Sequence, residues 1–133
     1  MRALSLFAVV AAFAVPAAAQ EPAPLAEYLW DKRPIVIFAD SEEDLLYRRQ
    51  MELLAEGEAE LSERDVVVLT DTDPSATSAL RKDLRPRGFQ LVLVGKDGAV
   101  KLRKPRPWTV RELSRVIDKM PLRQQEIRQR WER

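Results

Sequence analysis

The chain contains no cysteine and no histidine. The first absence excludes disulfides, thiol redox chemistry and thiolate metal sites, and the second excludes every triad or general-base scheme built on an imidazole. An excess of charge of either sign is also missing, with 22 basic residues against 21 acidic ones. Arg2 lies in a segment that reads as removable, which leaves the mature chain close to neutral, so bulk charge points to neither a nucleic-acid nor a membrane partner. Glycine is scarce, with four in 133 residues. Gly95-Lys96-Asp97-Gly98 joins two strands and reads as a hairpin turn, whereas a phosphate loop needs a longer glycine-rich turn that opens a helix.

The longest apolar run, Ala3 to Val15, is too short to span a bilayer comfortably. It follows the single charge of Arg2 and precedes Pro16 and Ala17-Ala18-Ala19, which fit an A-x-A cleavage site before Gln20. Residues 1–19 therefore read as a cleaved signal peptide, and the mature protein is expected to be periplasmic or secreted, with no membrane span left after cleavage. Export without cysteines requires a domain stable from its core alone. The remaining length suits one ordinary domain.

After a leader over residues 20–33, in which Leu25, Leu29 and Trp30 are expected to cover an edge of the core, comes the stretch that organises the chain. Pro34 to Ala39 is apolar throughout, as in a strand buried on both faces, and Ser41 and Asp44 have capping-box spacing for a helix starting at Ser41. That helix carries Leu46, Leu53, Leu54 and Leu61, with an interruption at Gly57. A second apolar strand, Val66 to Thr70, leads to Asp73, which is placed to cap a helix from Ser75 to Leu84 with Pro74 at its first position. Phe89 to Val94 and Ala99 to Arg103 form a hairpin. Thr109 and Glu112 have the spacing of a capping box for a helix with the stripe Val110, Leu113, Val116, Ile117 and Met120. Pro121 ends it, and residues 121–133 read as a basic helical tail anchored by Ile127 and Trp131, with Glu126 and Arg130 as an i,i+4 ion pair.

The order βαβ, helix, hairpin, helix resembles the thioredoxin-like arrangement, an α/β sandwich with a four-stranded mixed sheet flanked by helices over residues 34–120. Gly88 to Gly98 is similar to the thioredoxin stretch that runs through the cis-proline to a tight turn, with Gln90 where that proline would stand. Asp40 to Asp44 covers the place of the C-x-x-C loop. Both redox hallmarks are absent, so the chain is not a thiol oxidoreductase. A closer resemblance covers nearly the whole mature chain. Tyr28 and Trp30 before Arg33-Pro34, then Val36-Ile37-Phe38-Ala39, Glu63-Arg64-Asp65-Val66-Val67, Val94 through Arg103 and Ile117 through Arg123 are similar to an uncharacterised bacterial exported family called domain of unknown function 4174. That resemblance implies the fold and brings no activity with it.

Three groups of residues are candidate sites. One is the tail, where Arg123, Arg128, Arg130 and Arg133 alternate with Gln124, Gln125, Glu126 and Glu132. A lone amphipathic helix there is able to dock on a partner or an acidic surface, or to stand as a solvated helix with internal ion pairs. Asp40, Asp71 and Asp73 stand at the carboxyl ends of the first two strands, where open α/β sheets bind ligands, and converging oxygens there suit calcium or magnesium. The same residues, with Glu42, Glu43 and Asp44, also serve as helix caps without a metal. Lys101, Arg103, Lys104 and Arg106 with Trp108 form a basic stretch able to hold an anionic ligand or an acidic protein partner, or to protect an edge strand while Trp108 packs on the last helix. The expectation is a non-catalytic exported domain that binds a protein or small anionic ligand, without a cofactor. The alternative is a divalent-cation-dependent enzyme using the carboxylates at the strand ends.

Overall fold

Strand β1, Arg33–Phe38, is buried at every position, and its neighbours follow from that. A strand with no solvent-facing side needs cover on both faces and partners on both edges. β2, Val66–Asp71, runs parallel to it on one side, with Arg33 opposite Val66 and Phe38 opposite Asp71. β3, Gln90–Val94, runs antiparallel on the other side and forms a hairpin with β4, Val100–Lys104, giving the order β2-β1-β3-β4. The hairpin turns through Gly98 at φ +81°, a conformation that glycine adopts without strain. In this computed structural model the described residues are 24–133. The signal reading of residues 1–19 and the first part of the leader lie outside them.

The alternation of side chains along the strands divides the core into two layers. Ile35, Ile37, Leu91 and Leu93 point to one face and pack with Leu54, Leu61, Val110, Leu113 and Ile117. Those residues come from α1, Leu45–Ala55, α2, Glu58–Glu63, and α4, Val110–Asp118. Val36, Phe38, Val92 and Val94 point to the other face and pack with Leu84 of α3, Ala79–Leu84, and with Leu25 and Leu80. A last helix, α5, Pro121–Trp131, follows Met120 with Pro121 in its first turn. Among the described residues no helix is long and apolar enough to cross a membrane.

Several local expectations are corrected. The first helix begins at Leu45, because the Asp44 carboxylate accepts from the N–H groups of Leu46 and Tyr47 and is the cap; Ser41 Oγ accepts from Glu43 N and only closes a turn. Leu46 is exposed rather than buried. The expected helix from Ser75 to Leu84 is two pieces: Asp73 caps a 3-10 turn, Pro74–Ala76, the chain passes through a left-handed Thr77, and Ser78 caps α3 anew. In the leader Leu25 reaches the core, whereas Leu29 and Trp30 face solvent.

The tail is anchored differently from the expectation. Trp131 is 85% exposed, and the buried residue of α5 is Arg123, at 2%. Its guanidinium lies between Asp118 and Glu63. Glu126 does not pair with Arg130. It receives both Nη groups of Arg33, at 3.0 and 3.2 Å, and Lys96 Nζ at 2.6 Å, while Arg130 reaches Glu63 at 2.9 Å. Opposite charges on other elements lie closer to each partner than the neighbour one turn away, so the local pair gives way to long-range ones.

Candidate functional site

The carboxyl ends of β1 and β2 are filled by the chain itself. Arg81 on α3 donates through Nε to Asp71 Oδ1 at 2.9 Å and through Nη2 to the carbonyls of Ala39 at 2.8 Å and Asp71 at 3.1 Å, and its Cζ lies 5.4 Å from the centre of the Phe38 ring. Ser78 Oγ donates to the other Asp71 oxygen. Burial raises the Asp71 carboxyl pKa, but the hydrogen bonds from Ser78 and Arg81 outweigh it and hold the group below the ordinary range. Asp73 Oδ1 is taken by Ser75, and Asp40 is exposed. The structure does not bring the three carboxylates into one coordination sphere. Among the described residues no group of three or more carboxylate, cysteine or histidine side chains is placed to hold a metal ion.

The basic candidates are divided as well. On β4 the side chains alternate, so Leu102 joins the helix-covered layer while Lys101 and Arg103 point to the opposite face. Lys101 pairs with Asp97 at 2.9 Å, and Arg103 donates to Gln90 at 3.2 Å. Lys104 turns to the helical side, with Nζ 5.1 Å from the centre of the Trp108 ring. Arg106 lies beyond the strand, in the connection to α4. Lys104 and Trp108 thus remain together, Arg106 follows them in the connection, and Lys101 and Arg103 belong to the hairpin.

What Arg106 borders is a groove of about 640 Å³ between the start of α1 and the β4–α4 connection, lined by Leu46, Arg49, Leu53, Pro105, Arg106 and Pro107. Its shape depends on a residue that sequence reasoning did not single out. Gln50 is fully buried and grips the backbone of Trp108 twice: Nε2 donates to the Trp108 carbonyl and Oε1 accepts from its N–H, both at 2.8 Å. The side-chain amide satisfies two backbone groups that no strand or helix partner satisfies. This fixes the Pro-rich connection against α1 and leaves Leu46, with Leu45 beside it at 78% exposure, facing solvent at the mouth. The one available sequence signal was a polar residue at position 50, one turn before the buried Leu53 and Leu54.

At the opposite end of the sheet lies an ion-pair network. Arg33, 1% exposed, donates to Glu126 and to the Arg64 carbonyl, Lys96 bridges Glu126 and Asp65, and Asp118 joins Arg64 to Arg123. Burial raises the pKa of Glu126 and Asp118, but their cationic partners overcome it and hold both below the ordinary carboxylate range. For Lys96, burial pulls the pKa down, and the two carboxylates outweigh it and hold it above the usual value. These residues lock α5 onto the N-terminal ends of β1 and β2.

The family model described as Domain of unknown function (DUF4174) matches residues 24–126, from the leader through most of α5. This chain belongs to the DUF4174 family. A zebrafish (Danio rerio) relative, Coiled-coil domain-containing protein 80, is 32% identical over an alignment that takes in 77% of this chain, and the alignment spans only 15% of that protein's length. Among solved structures, Plasmodium yoelii Prx1a is similar with a TM-score of 0.61 at 14% identity, covering 76% of this chain and 80% of that one. The Plasmodium vivax 2-Cys peroxiredoxin in its reduced form gives 0.60 at 16% identity, covering 76% and 84%. At such identities the likeness is one of fold: this DUF4174 domain is an α/β, thioredoxin-like domain that carries no cysteine. The residues on which the family resemblance rests include Arg33, Glu63, Arg64, Asp65, Lys96, Asp118 and Arg123, all members of the ion-pair network.

Proposed function

We propose that the domain is a non-catalytic binding module whose groove at the start of α1 takes an acidic protein segment with apolar side chains. The observation that carries this reading is the make-up of the groove. Its lining is leucine and proline, so that an apolar side chain gains by entering. Its borders are two arginines, so that carboxylates flanking that side chain are attracted. Arg106 has no ion pair among the described residues, and Arg49 pairs only with Glu52, at 3.3 Å on the surface, a contact that a partner displaces at little cost. Lys104, held over Trp108, adds positive charge next in the chain. On the reading of residues 1–19 as a cleaved signal, the partner is a protein of the periplasm or the secreted fraction.

The test is selection of a displayed random-peptide library on the immobilised protein, followed by affinity measurements on the enriched peptides. The expected peptides place Asp or Glu beside Leu, Ile or Phe, and lose about ten-fold or more in affinity when Arg49→Glu and Arg106→Glu are combined, in line with two charge-assisted contacts. Both side chains are exposed, so circular dichroism should show an unchanged fold. Enriched peptides that lack acidic residues, or that bind the double variant undiminished, overturn the assignment.

A further inference from the structure

Leu53 separates the α1 groove from a second cleft of about 560 Å³, which runs between the α1–α2 junction and α4. That volume is in the range of small-molecule sites. Its floor is apolar, formed by Leu53 and Val110, and Gly57 is what brings the two sides close: a Cβ at position 57 would stand 2.5 Å from Val110 Cγ1. Arg64 and Asp118 line the cleft as a mutual ion pair, and the remaining charges are segregated by sign. Glu56, at the C-terminal end of α1, and Glu60, on α2, line one side; Arg111 and Arg115, in successive turns of α4, line the other. The helix ends act in the same sense, since α1 presents its carbonyl end to the cleft and α4 its N–H end.

Among the described residues none of these four charged side chains is in an ion pair, although Arg64 and Asp118 in the same lining and the neighbouring Glu63 all are. These four therefore do not neutralise one another, whereas Arg64 and Asp118, which also line the cleft, pair across it at 2.9 Å. A second observation points the same way. Ser114, between the two arginines on α4, lines the cleft, is only 9% exposed, and its hydroxyl is a buried polar group without a hydrogen-bond partner. A buried hydroxyl left unpaired costs free energy that a ligand oxygen can recover after a rotation about its Cα–Cβ bond.

We infer that this cleft binds a zwitterion, a free α-amino acid or a short peptide with an apolar side chain. The ligand carboxylate faces Arg111 and Arg115 and accepts from Ser114, the ammonium faces Glu56 and Glu60, and the side chain lies on Leu53 and Val110. This goes beyond the peptide groove and uses different charged residues.

Calorimetric titration of the protein with leucine, with the dipeptide Leu-Leu and with N-acetyl-leucinamide tests it. Saturable binding of leucine, of Leu-Leu or of both is expected, with none for the uncharged analogue, and the better of the two charged ligands distinguishes an amino-acid site from a peptide site. Arg115→Gln and Glu60→Gln, both at exposed positions, should each weaken binding about ten-fold, and Ser114→Ala about three-fold. The Arg49→Glu, Arg106→Glu double variant should bind these ligands normally, which separates this site from the groove. The inference is overturned if neither charged ligand gives saturable heat at millimolar concentration, if N-acetyl-leucinamide binds equally well, or if Arg115→Gln and Glu60→Gln bind as tightly as the native protein.

Discussion

Replacing Glu126 by glutamine removes a negative charge that three cations share: Arg33, Lys96 and, at 3.6 Å, Arg123. Arg33 is 1% exposed and would keep only neutral acceptors, the Arg64 carbonyl at 2.9 Å and the amide oxygen of the new side chain, with no carboxylate. Lys96 would keep Asp65 at 2.8 Å. Breaking a buried pair from one side costs about 3–5 kcal/mol, because the remaining charge stays desolvated. Glu126 itself is 24% exposed, so water can reach the vacated side, and about 2–4 kcal/mol is the expected loss. That is a large part of the roughly 5–15 kcal/mol that holds a domain together. Urea unfolding followed by circular dichroism at neutral pH measures it, with Arg49→Gln, which breaks only the exposed pair with Glu52, as the control expected within about 0.5 kcal/mol. Acid titration adds an independent check. The folded-state pKa of Glu126 is lowered, so its contribution is complete above the unfolded value of about 4.3 and disappears as pH falls through the folded value. The native protein and the variant should therefore differ most at neutral pH and converge in acid. A loss below about 1 kcal/mol, or a gap independent of pH, would refute the account of the network as what holds α5 in place.

Other substitutions probe the packing that shapes the two clefts. Gln50→Leu strands the N–H and carbonyl of Trp108 and should cost about 2–4 kcal/mol in urea unfolding, with faster hydrogen exchange at the Trp108 amide. Gly57→Ala drives a methyl into Val110 and should cost about 1–3 kcal/mol in the same assay. Thr109→Ala removes the capping box of α4 and should cost about 1 kcal/mol. Calcium or magnesium at millimolar concentration should leave the melting temperature unchanged, since the Asp71 and Asp73 oxygens are already engaged by Arg81, Ser78 and Ser75; a rise of several degrees, lost in Asp71→Ala, would contradict this.

The parts of the fold that could be read from sequence are those set by signals a few residues long. Pro34 to Ala39 is apolar at every position because the strand has no solvent side, and the hairpin announces itself through Asp97-Gly98. The capping box of Thr109 and Glu112 forms as spaced, and Gly57 interrupts the first helix where its lack of a side chain admits Val110. What stayed hidden depends on residues far apart in the chain. Gln50 and Trp108 are 58 positions apart, and a lone glutamine in an amphipathic helix carries no mark of the backbone it will bond. Arg123 reads as one more solvated arginine in a basic tail; its burial is decided by Asp118 and by Glu63, 60 residues earlier. Thr77 takes a left-handed conformation with neither glycine nor asparagine to signal it, so in sequence the helix it divides reads as continuous.

The same contrast explains why the basic and acidic candidates did not hold together as sites. Each was a run along the chain, and a strand sends successive side chains to opposite faces, so Lys101 and Arg103 were separated from Lys104 by geometry alone. The acidic group failed for a different reason. In an open α/β sheet the crevice outside the carboxyl ends of the strands is the usual ligand position. Here Arg81 enters it, neutralises Asp71, bonds the Ala39 carbonyl at the end of β1 and lies over Phe38, much as a bound cation would. With that crevice closed by α3 and its guanidinium, two concave surfaces lie on the other face of the sheet, against α1, α2 and α4, apart from a third that the paired residues beneath α5 line. There the charges of Arg106, Arg111, Arg115, Glu56 and Glu60 meet no partner among the described residues, in contrast to the paired network beneath α5, and a ligand has the most to gain where the chain has left its own charges unpaired.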